Sequence, residues 1–211
     1  MFSREDLPII LEHKWYKDNL GYLTTNLENG EKIRFHRILY PNAEIVDHYD
    51  GNKMNNTRQN LQEVSHWLNI AKAKRKENKS GYTGIYQNKN NHWTAHIIIK
   101  KEKKNKTYKT KEEAILMRFI WELNYLGKNA PQRDKIIKMY PRLFDACMNG
   151  YCIVENPRLV LSILNKVEET KYCPCSIIKD SDHLCMCKDS KELKPGETCH
   201  CGIFIKKETE G

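Results

Sequence analysis

The chain has 211 residues, of which 39% are hydrophobic and 30% are charged. So small an apolar fraction favours several small modules over one large core. No apolar run is long enough to cross a bilayer, and the first fourteen residues lack the apolar stretch and small-residue cleavage site of a secretory signal. The sequence therefore predicts a cytoplasmic protein with no membrane partner.

The formal net charge of +9 is concentrated in one part of the chain. Residues 70–111 hold thirteen lysines and arginines and two acidic residues, a net charge of +11. A local excess of this kind is typical of a surface that binds phosphates. A membrane surface is the weaker alternative, because no amphipathic basic helix accompanies the charge. Nucleic acid is the partner that this pattern favours.

Residues 13–39 are predicted to form a β-hairpin. A strand over 21–25 is followed by a turn at 28–30 and by a second strand over 32–39 with alternating apolar positions. His36 lies in that second strand and is a secondary candidate for the site that follows. A strand histidine held by a backbone partner is an equal alternative.

The segment 44–69 has the order strand, long loop, strand, helix. Asp47 and His48 stand at the end of the first apolar run, and Ser65 is a suitable N-cap for the helix. Hydrolysis of a phosphodiester needs a base that deprotonates water and oxygen ligands for a hard cation. His48, Asp47 and Asn69 can supply these groups together.

Residues 13–76 resemble the HNH homing endonucleases of phages, because Asp-His, Gly-Asn-x-x-Asn-Asn, Asn-Leu and a helical Asn follow in that family's order and spacing. The resemblance makes His48 the general base and makes Asp47 and Asn69 ligands of Mg²⁺ or Mn²⁺. It implies double-stranded DNA as substrate and, for a phage-encoded protein, the host cytoplasm as location. The alternative is a site that keeps the fold and has lost cleavage.

Further residues around this site have supporting roles in the same resemblance. Asn60 and Asn56 brace the loop by hydrogen bonds to its backbone. His66 is a spare candidate ligand, with a phosphate contact or a solvent-facing position as its ordinary alternative. The helix continues with basic residues that are expected to follow a DNA backbone, namely Lys72, Lys74, Arg75 and Lys76.

From Ser80 onward the pattern predicts three strands and a helix. Two strands are joined by a turn at 88–91, and a third lies near Thr107-Tyr108. The helix begins at the capping box Thr110–Glu113 and ends at Gly127. Its core positions are Leu116, Phe119, Ile120 and Leu123.

Three motifs in this segment resemble the APETALA-type DNA-binding domain found beside many phage HNH nucleases: Gly81-x-x-Gly84-Ile85-Tyr86, Trp93-x-Ala95-x-Ile97 and Thr110-x-Glu112-Glu113-Ala114. The family's Leu-Gly pair before the third strand is absent, which leaves the length and pairing of that strand open. In such a domain the sheet lies in a DNA groove. The expected contacts are Tyr82, Tyr86, Lys89, Trp93 and His96. For Trp93, packing against the helix is the favoured alternative.

All eight cysteines lie in the last third of the chain, after a connecting helix over 131–140 and around a second helix that starts near Asn156. In a reducing compartment clustered cysteines usually bind metal or carry out redox chemistry. A structural zinc site uses four ligands at wider pair spacing, whereas six thiols suit a cluster with a redox pair. The pairs are Cys173/Cys175, Cys185/Cys187 and Cys199/Cys201.

Residues 156–207 resemble the catalytic chain of ferredoxin:thioredoxin reductase, through Cys-Pro-Cys, Cys-Met-Cys in place of the family's Cys-Pro-Cys, and Cys-His-Cys. The resemblance implies ferredoxin and thioredoxin-like partners. It makes Cys175 and Cys201 a reactive disulfide and makes His200 a modulator of thiol chemistry. A zinc site is the alternative. The implied ligands of a [4Fe-4S] cluster are Cys173, Cys185, Cys187 and Cys199.

The sequence thus predicts an α+β chain of three modules. These are a ββα-metal HNH nuclease over 1–78, a three-stranded sheet with a helix that binds DNA over 79–131, and a small helical Cys-rich iron-sulfur module over 132–211. A metal-dependent DNA endonuclease is the favoured function. The alternative is a disulfide reductase in which the nuclease and DNA-binding modules are an acquired insertion.

Overall fold

The computed structural model describes residues 1–72 and 78–208, with the backbone alone for 71 and 72. Helices and antiparallel sheets both occur, which confirms the α+β class. The chain divides into two compact units, Met1–Ile70 and Ala71–Gly211. Four predicted DNA contacts, the side chain of Lys72 and the residues Lys74, Arg75 and Lys76, lie outside the described residues.

Two small antiparallel sheets organise the first unit. Its elements are α1 (Leu7–Glu12), β1 (Tyr16–Lys17), β2 (Leu23–Asn26), β3 (Lys32–Arg34), α2 (Phe35–Leu39), β4 (Ile45–His48), β5 (Leu61–Val64) and α3 (His66–Lys72), after a 3-10 turn at Arg4–Asp6. Strands β1, β2 and β3 form one sheet, and β4 pairs with β5 in the other. The predicted hairpin and the predicted order of strand, loop, strand and helix are both present.

The predicted second strand of the hairpin is too long, and this part of the prediction is wrong. Strand β3 stops at Arg34, and Phe35–Leu39 form the short helix α2. Phe35 and His36 are consecutive and are both buried, with exposed fractions of 0% and 4%. A strand with one solvated face would send one of the two side chains into water. Tertiary burial of both therefore overrides the alternating pattern.

The small core of the first unit lies between α2 and the β4–β5 pair. Ala43, Val46 and Leu61 are buried there, and Leu39 and Tyr40 pack against them. This core fixes the position of β4, which carries Asp47 and His48.

The N-terminal segment supports the long loop between β4 and β5. The Arg58 guanidinium is bonded to Asp6 Oδ1 through Nε at 3.0 Å and Nη2 at 2.7 Å, and Asp6 is fully buried. The backbone N–H of Asn56 donates to the carbonyl of Met1 at 2.8 Å. Paired charged groups of this kind hold a loop more firmly than neutral contacts do.

The second unit combines a three-stranded sheet with several helices. Its elements are β6 (Ile85–Gln87), β7 (Trp93–Ile99), β8 (Glu102–Tyr108), α4 (Lys111–Leu126), α5 (Arg133–Met139), α6 (Pro141–Met148), β9 (Tyr151–Ile153), α7 (Pro157–Thr170), α8 (Lys188–Lys191) and β10 (Phe204–Lys206), with 3-10 turns at Gly127–Asn129 and Ser181–His183. Strands β6, β7 and β8 form one antiparallel sheet, and β9 pairs with β10.

The structure gives the length of the third strand of this sheet and both ends of helix α4. Strand β8, whose length the sequence left open, has seven residues and pairs with β7 from Trp93 opposite Tyr108 to Ile99 opposite Glu102. Helix α4 begins at the predicted capping box, in which Thr110 and Glu113 bond each other's backbone N–H groups. The helix ends before Gly127, as predicted.

Helix α4 packs against the sheet on one side and against the segment 132–208 on the other. Asn124 forms two hydrogen bonds with the backbone of Ile153 in β9, at 2.7 and 2.8 Å. Arg158 Nε of α7 lies 2.5 Å from Glu113 Oε1 of α4. The residues assigned by sequence to a second and a third module therefore share one central helix.

Candidate active site and cysteine site

Asp47 and His48 occupy the last two positions of β4, and β5 fixes their register. Asp47 pairs with Gln62, whose Nε2 donates to Asp47 Oδ2 at 3.1 Å. His48 pairs with Leu61 and is buried, with an exposed fraction of 6%. Because successive residues of a strand point to opposite sides, the carboxylate and the imidazole leave β4 on different faces.

Asn69 lies on α3, which follows β5 directly. Its backbone N–H donates to the carbonyl of Ser65 at 3.0 Å, so the helix starts where Ser65 was predicted to cap it. The Asn69 side chain is half-buried. The elements β4, β5 and α3 thus carry Asp47, His48 and Asn69 on one ββα unit.

The loop between β4 and β5 is held by asparagine side chains. Asn60 is buried, and its Oδ1 accepts from the backbone N–H of Asp50 at 3.0 Å. Its Nδ2 donates to Asp50 Oδ1 at 2.9 Å and to the carbonyl of Asn55 at 2.7 Å. Asn56 is fully buried, and its Nδ2 donates to the carbonyl of Lys53. Both asparagines therefore form the bonds to loop backbone that the sequence predicted.

The contact between His48 and Asn56 determines which ring nitrogen can act as a base. His48 Nε2 lies 3.1 Å from Asn56 Oδ1. The amide is oriented by its other end, since Nδ2 donates to the carbonyl of Lys53 at 3.4 Å. An amide oxygen only accepts hydrogen bonds, so Nε2 is the donor in this contact, and in the neutral ring Nδ1 is the nitrogen left to accept a proton.

His36 packs edge-on against His48, with ring centroids 5.2 Å apart. Burial, with smaller contributions from the neighbouring His48 and two arginines, lowers the pKa of His36 to about 4. Its Nδ1 has no hydrogen-bond partner among the described residues. His36 is thus a neutral imidazole that packs against His48, and it has no backbone partner at that nitrogen.

Tyr22, which no sequence motif singled out, lies beside His48, and two cations lie over its ring. The Tyr22 ring centroid is 6.0 Å from that of His48 and 5.3 Å from that of His36. Arg34 Cζ lies 4.1 Å and Lys53 Nζ lies 4.5 Å from the centroid of the Tyr22 ring. A contact between a cation and a ring that are far apart in the sequence produces no periodic pattern, so it is seen only in the folded structure.

The outer face of the β6–β7–β8 sheet carries two of the predicted DNA contacts. Tyr86 and His96 alternate with the buried residues Ile85, Ala95 and Ile97, so they point away from α4. Lys89 is exposed in the turn that joins β6 to β7. These three side chains lie where a nucleic acid seated on the sheet would meet them.

Trp93 and Tyr82 do not belong to that outer face, and for Trp93 this agrees with the favoured alternative of packing on the helix side. Trp93 shares its side of the sheet with buried Ala95 and pairs with buried Tyr108. The Tyr82 ring packs edge-on against Phe119 of α4, with ring centroids 5.9 Å apart. Lys111 Nζ lies within 6 Å of both aromatic rings, at 5.2 Å from Trp93 and 5.7 Å from Tyr82.

The paired cysteines converge on one place in the second unit. The Sγ atom of Cys173 lies 2.9 Å from that of Cys175 and 2.9 Å from that of Cys201, and the sulfurs of Cys175 and Cys201 are 3.3 Å apart. These three thiols form a group that could hold a metal ion. Cys175 is exposed. A small cavity is lined by the other five paired cysteines, Cys173, Cys185, Cys187, Cys199 and Cys201.

The thiols of this site are suitable ligands for a soft metal ion, and the cavity between them is small. Burial is the main cause that raises the pKa of Cys185 to about 11. Arg142 opposes this shift, and the thiols of Cys173, Cys187 and Cys199 add to it. A bound cation reverses this, because it takes the thiolate form. The cavity volume is about 10 Å³, roughly that of one water molecule. A four-iron cluster would therefore require the cysteine loops to separate.

His200, predicted to modulate thiol chemistry, lies at the edge of this site. It lines the same cavity, but its side chain is largely exposed, and its Nδ1 lies 3.7 Å from Asp189 Oδ2.

Comparison with known proteins points to the class of HNH endonucleases. One such protein, an uncharacterized HNH endonuclease designated L560 from Acanthamoeba polyphaga mimivirus, is 33% identical to this chain over 94 residues. The aligned part is 41% of this chain and 49% of that protein, so the chain spans about half the length of its relative. The similarity therefore supports an HNH-type interpretation of one part of this chain.

No protein-family model and no solved structure matches the chain. Over residues 1–72 and 78–208, none of the helices combines the length and the apolar character needed to cross a bilayer.

Proposed function

We propose that the chain is a divalent-metal-dependent DNA endonuclease of the homing type, encoded by a phage or another mobile element. The observation that carries the proposal is the His48 imidazole. It is buried, and its bond to Asn56 leaves Nδ1 as the nitrogen able to accept a proton. A general base needs this combination of a fixed ring and an unprotonated nitrogen. The similarity to an HNH endonuclease supports the same reading.

Each residue of the ββα unit has a role in this proposal. His48 Nδ1 accepts a proton from the attacking water. Asp47 and Asn69 offer oxygen atoms that suit Mg²⁺ or Mn²⁺. Since Asp47 and His48 leave β4 on different faces, a cation that serves the same phosphate would lie at the end of this strand, where it would stabilise the charge that develops on the phosphate. Asn60 and Asn56 keep the loop in place so that the ring of His48 does not rotate.

The second unit is proposed to bind double-stranded DNA. Its support is the basic character of residues 70–111, with a net charge of +11, together with Tyr86 and His96 on the outer sheet face and Lys89 in the adjoining turn. Trp93 and Tyr82 would contribute indirectly, because the ammonium group of Lys111 lies over both rings and is held there. Contacts of lysines with phosphates release counterions, so affinity should fall steeply with salt.

The test is cleavage by His48→Ala in the full chain. Purified protein with Mg²⁺ or Mn²⁺ should cut or nick duplex DNA from a library of sites, and the substitution should lower the cleavage rate by about 10² to 10⁴. DNA binding should stay close to that of the unaltered chain, because the basic surface is intact. His13→Ala is the matched control, since it changes a half-buried histidine that contacts Trp15 and not this site.

Two results would contradict the proposal. The unaltered chain would show no metal-dependent cleavage of any DNA in the library, which would leave a site that has kept its fold without its activity. Alternatively, His48→Ala and His13→Ala would cleave equally well, which would exclude His48 as the base.

A second candidate function is supported by the cysteine geometry. We propose that Cys175 and Cys201 form a redox pair beside a [4Fe-4S] cluster held by Cys173, Cys185, Cys187 and Cys199. The sulfurs of the pair are 3.3 Å apart, and each lies 2.9 Å from the Cys173 sulfur. A small movement would close a disulfide of about 2.05 Å within this group, and the choice of Cys175 and Cys201 as the redox pair follows the resemblance to the reductase. The two thiols would pass two electrons and two protons to the disulfide of a thioredoxin-like partner. The cluster would supply those electrons from a one-electron donor such as ferredoxin.

Iron, zinc and acid-labile sulfide per chain, measured anaerobically across single Cys→Ser variants, test this second function. Cys185→Ser should lose the iron, because it removes a ligand. Cys175→Ser and Cys201→Ser should keep the iron and lose disulfide reduction only. Tightly held zinc without sulfide would replace the cluster with a single-ion site. Loss of iron in Cys175→Ser and Cys185→Ser alike would show that the division of roles is wrong.

A further inference from the structure

The first unit contains an open basic cleft on the sheet formed by β1, β2 and β3. Its volume is about 590 Å³. Four of its lining residues are basic and one is acidic: Lys17, Lys32, Arg34, Arg37 and Asp18. Lys17 and Lys32 are exposed at the two edge strands, β1 and β3. No sequence motif assigned DNA contacts to this region.

The charge of the cleft contrasts with that of the unit around it. Residues 1–70 hold eight lysines and arginines and ten acidic residues. Half of these basic residues therefore line a single cleft in a unit whose overall charge is negative. Arg34 is partly neutralised by Asp18, at 3.2 Å, while the Arg37 guanidinium donates to the carbonyls of Ala43 and Glu44. Lys17 and Lys32 keep their charge available for a phosphate.

The basic residues of the cleft continue toward His48. Arg34 lines the cleft and also lies over the Tyr22 ring, which contacts His48. At Gly21 a Cβ atom would meet Lys17 Cε at 3.7 Å and Lys53 Cδ at 3.8 Å, so these two lysines flank the same glycine. Lys53 Nζ in turn lies over Tyr22. Arg34 and Lys53 therefore connect the basic residues of the cleft to Tyr22, which contacts the His48 imidazole.

We infer that this cleft binds the phosphodiester backbone of the DNA strand that is cut, on the nuclease unit itself. Lys17 and Lys32 contact successive phosphates, and Arg34 and Lys53 on Tyr22 direct the strand to His48. The inference rests on the proposed nuclease function, since it names how the substrate reaches that site. A basic groove that follows a nucleic acid backbone binds without regard to sequence.

The experiment uses Lys17→Gln/Lys32→Gln, which removes two charges and keeps much of each aliphatic stem. Arg4→Gln/Lys14→Gln is the matched control, because it removes the same charge from exposed positions of the same unit outside the cleft. Duplex binding is measured by fluorescence anisotropy in EDTA at several salt concentrations. The slope of log K against log salt should become less negative by about 1.8 in the cleft variant, at roughly 0.9 for each phosphate contact. The control should keep the slope of the unaltered chain.

Cleavage kinetics give an independent measurement. With Mg²⁺, the cleft variant should show a KM for DNA raised about tenfold and a much smaller change in kcat, and Lys17→Arg/Lys32→Arg should restore the KM. Equal slopes and equal KM values in the cleft variant and the control would overturn the inference. Absence of cleavage by the unaltered chain would refute the nuclease proposal, and the binding slopes in EDTA would still decide the role of the cleft. Thermal unfolding of each variant confirms that the unit remains folded.

Discussion

The neutral state of His36 makes the first unit sensitive to acid. Burial holds the pKa of this imidazole at about 4 in the folded chain, well below its ordinary value of 6.5. As pH falls from 6.5 towards 4, His36 binds a proton in the unfolded chain and stays unprotonated in the folded chain. The free energy of unfolding must therefore fall across this interval.

His36→Gln should remove part of this dependence. The variant carries no titrating group at that position, so its stability should change less between pH 6.5 and 4 than that of the unaltered chain. Hydrogen exchange of amides in β4 and β5, corrected for the intrinsic effect of pH, measures the difference. The pKa values of Asp18 and Asp50 are lowered by hydrogen bonds, so their contribution is lost only at a more acidic pH. Parallel curves for both proteins would show that His36 is not the source.

Gly84 is the residue of the second unit with the least room for a side chain. It has a φ of +73°, and a Cβ atom there would overlap the carbonyl of His96 and lie 2.9 Å from Arg118 Nη1. That carbonyl accepts a hydrogen bond from Arg118, which also pairs with buried Glu122 at 2.8 Å. Breaking a buried pair of this kind is among the costliest single changes.

Gly84→Ala should therefore lower the free energy of unfolding of the second unit by about 3 kcal/mol or more. Gly81→Ala is the control, because Gly81 also has a positive φ, of +79°, but nothing lies within 4 Å of its added Cβ. The control should cost only about 1 kcal/mol, from the backbone conformation alone. Urea unfolding of the two variants measures the difference. Equal decreases in the free energy of unfolding would show that the contact with Arg118 does not contribute to the cost of Gly84→Ala.

At the level of single residues the sequence predicts what is encoded locally. The loop-bracing bonds of Asn60 follow from its position in a recognisable motif, and the structure contains them. Tyr22 has no such signal, since its contacts with His36 and His48 depend on how a separate sheet packs. A motif records the residues that one segment contributes, and it omits partners contributed by another.

At the level of elements, the sequence pattern predicted the ends of helix α4 correctly but identified only part of its buried surface. Its capping box and its terminal glycine fixed both ends correctly. Four core positions were expected on one face, yet Ile115, Met117 and Trp121 are also buried. Residues 113–123 of α4 are all buried, and Arg118 and Glu122 are among them. A helix that is buried on every side needs a second layer to cover it, and β9, α6 and α7 provide that layer.

Short elements were harder to predict because their local preferences are weak. The five residues of α2 read as a strand until the burial of Phe35 beside His36 is known. The side of the sheet on which Trp93 lies depends on register, and register is set by the pairing of β7 with β8. In both cases tertiary packing decides between alternatives that the sequence leaves nearly equal.

At the scale of the whole molecule, the described residues after the first unit behave as one compact body. The Lys104 ammonium of β8 is paired with Glu155 at 2.8 Å, and Cys147 Sγ donates to the carbonyl of Leu123 in α4. Arg142 Nη1 donates to the carbonyl of Cys185 at 2.7 Å, which ties the cysteine site to α6. The proposed DNA-binding sheet and the cysteine site are thus connected through a continuous set of packed elements.

This connection predicts that loss of metal from the cysteine site weakens the sheet. Metal binding contributes folding free energy to the segment that carries the ligands, and α4 transmits the loss because the sheet and that segment share it. In Cys185→Ser, amides of β7 should therefore exchange faster and duplex DNA should bind more weakly than in the unaltered chain. Cys152→Ser is the matched control, since this half-buried cysteine lies outside the group of three thiols and does not line the cavity. Peptide-resolved hydrogen exchange of anaerobically purified proteins measures the effect, and unchanged protection of β7 after complete metal loss would show that the sheet is an independent module.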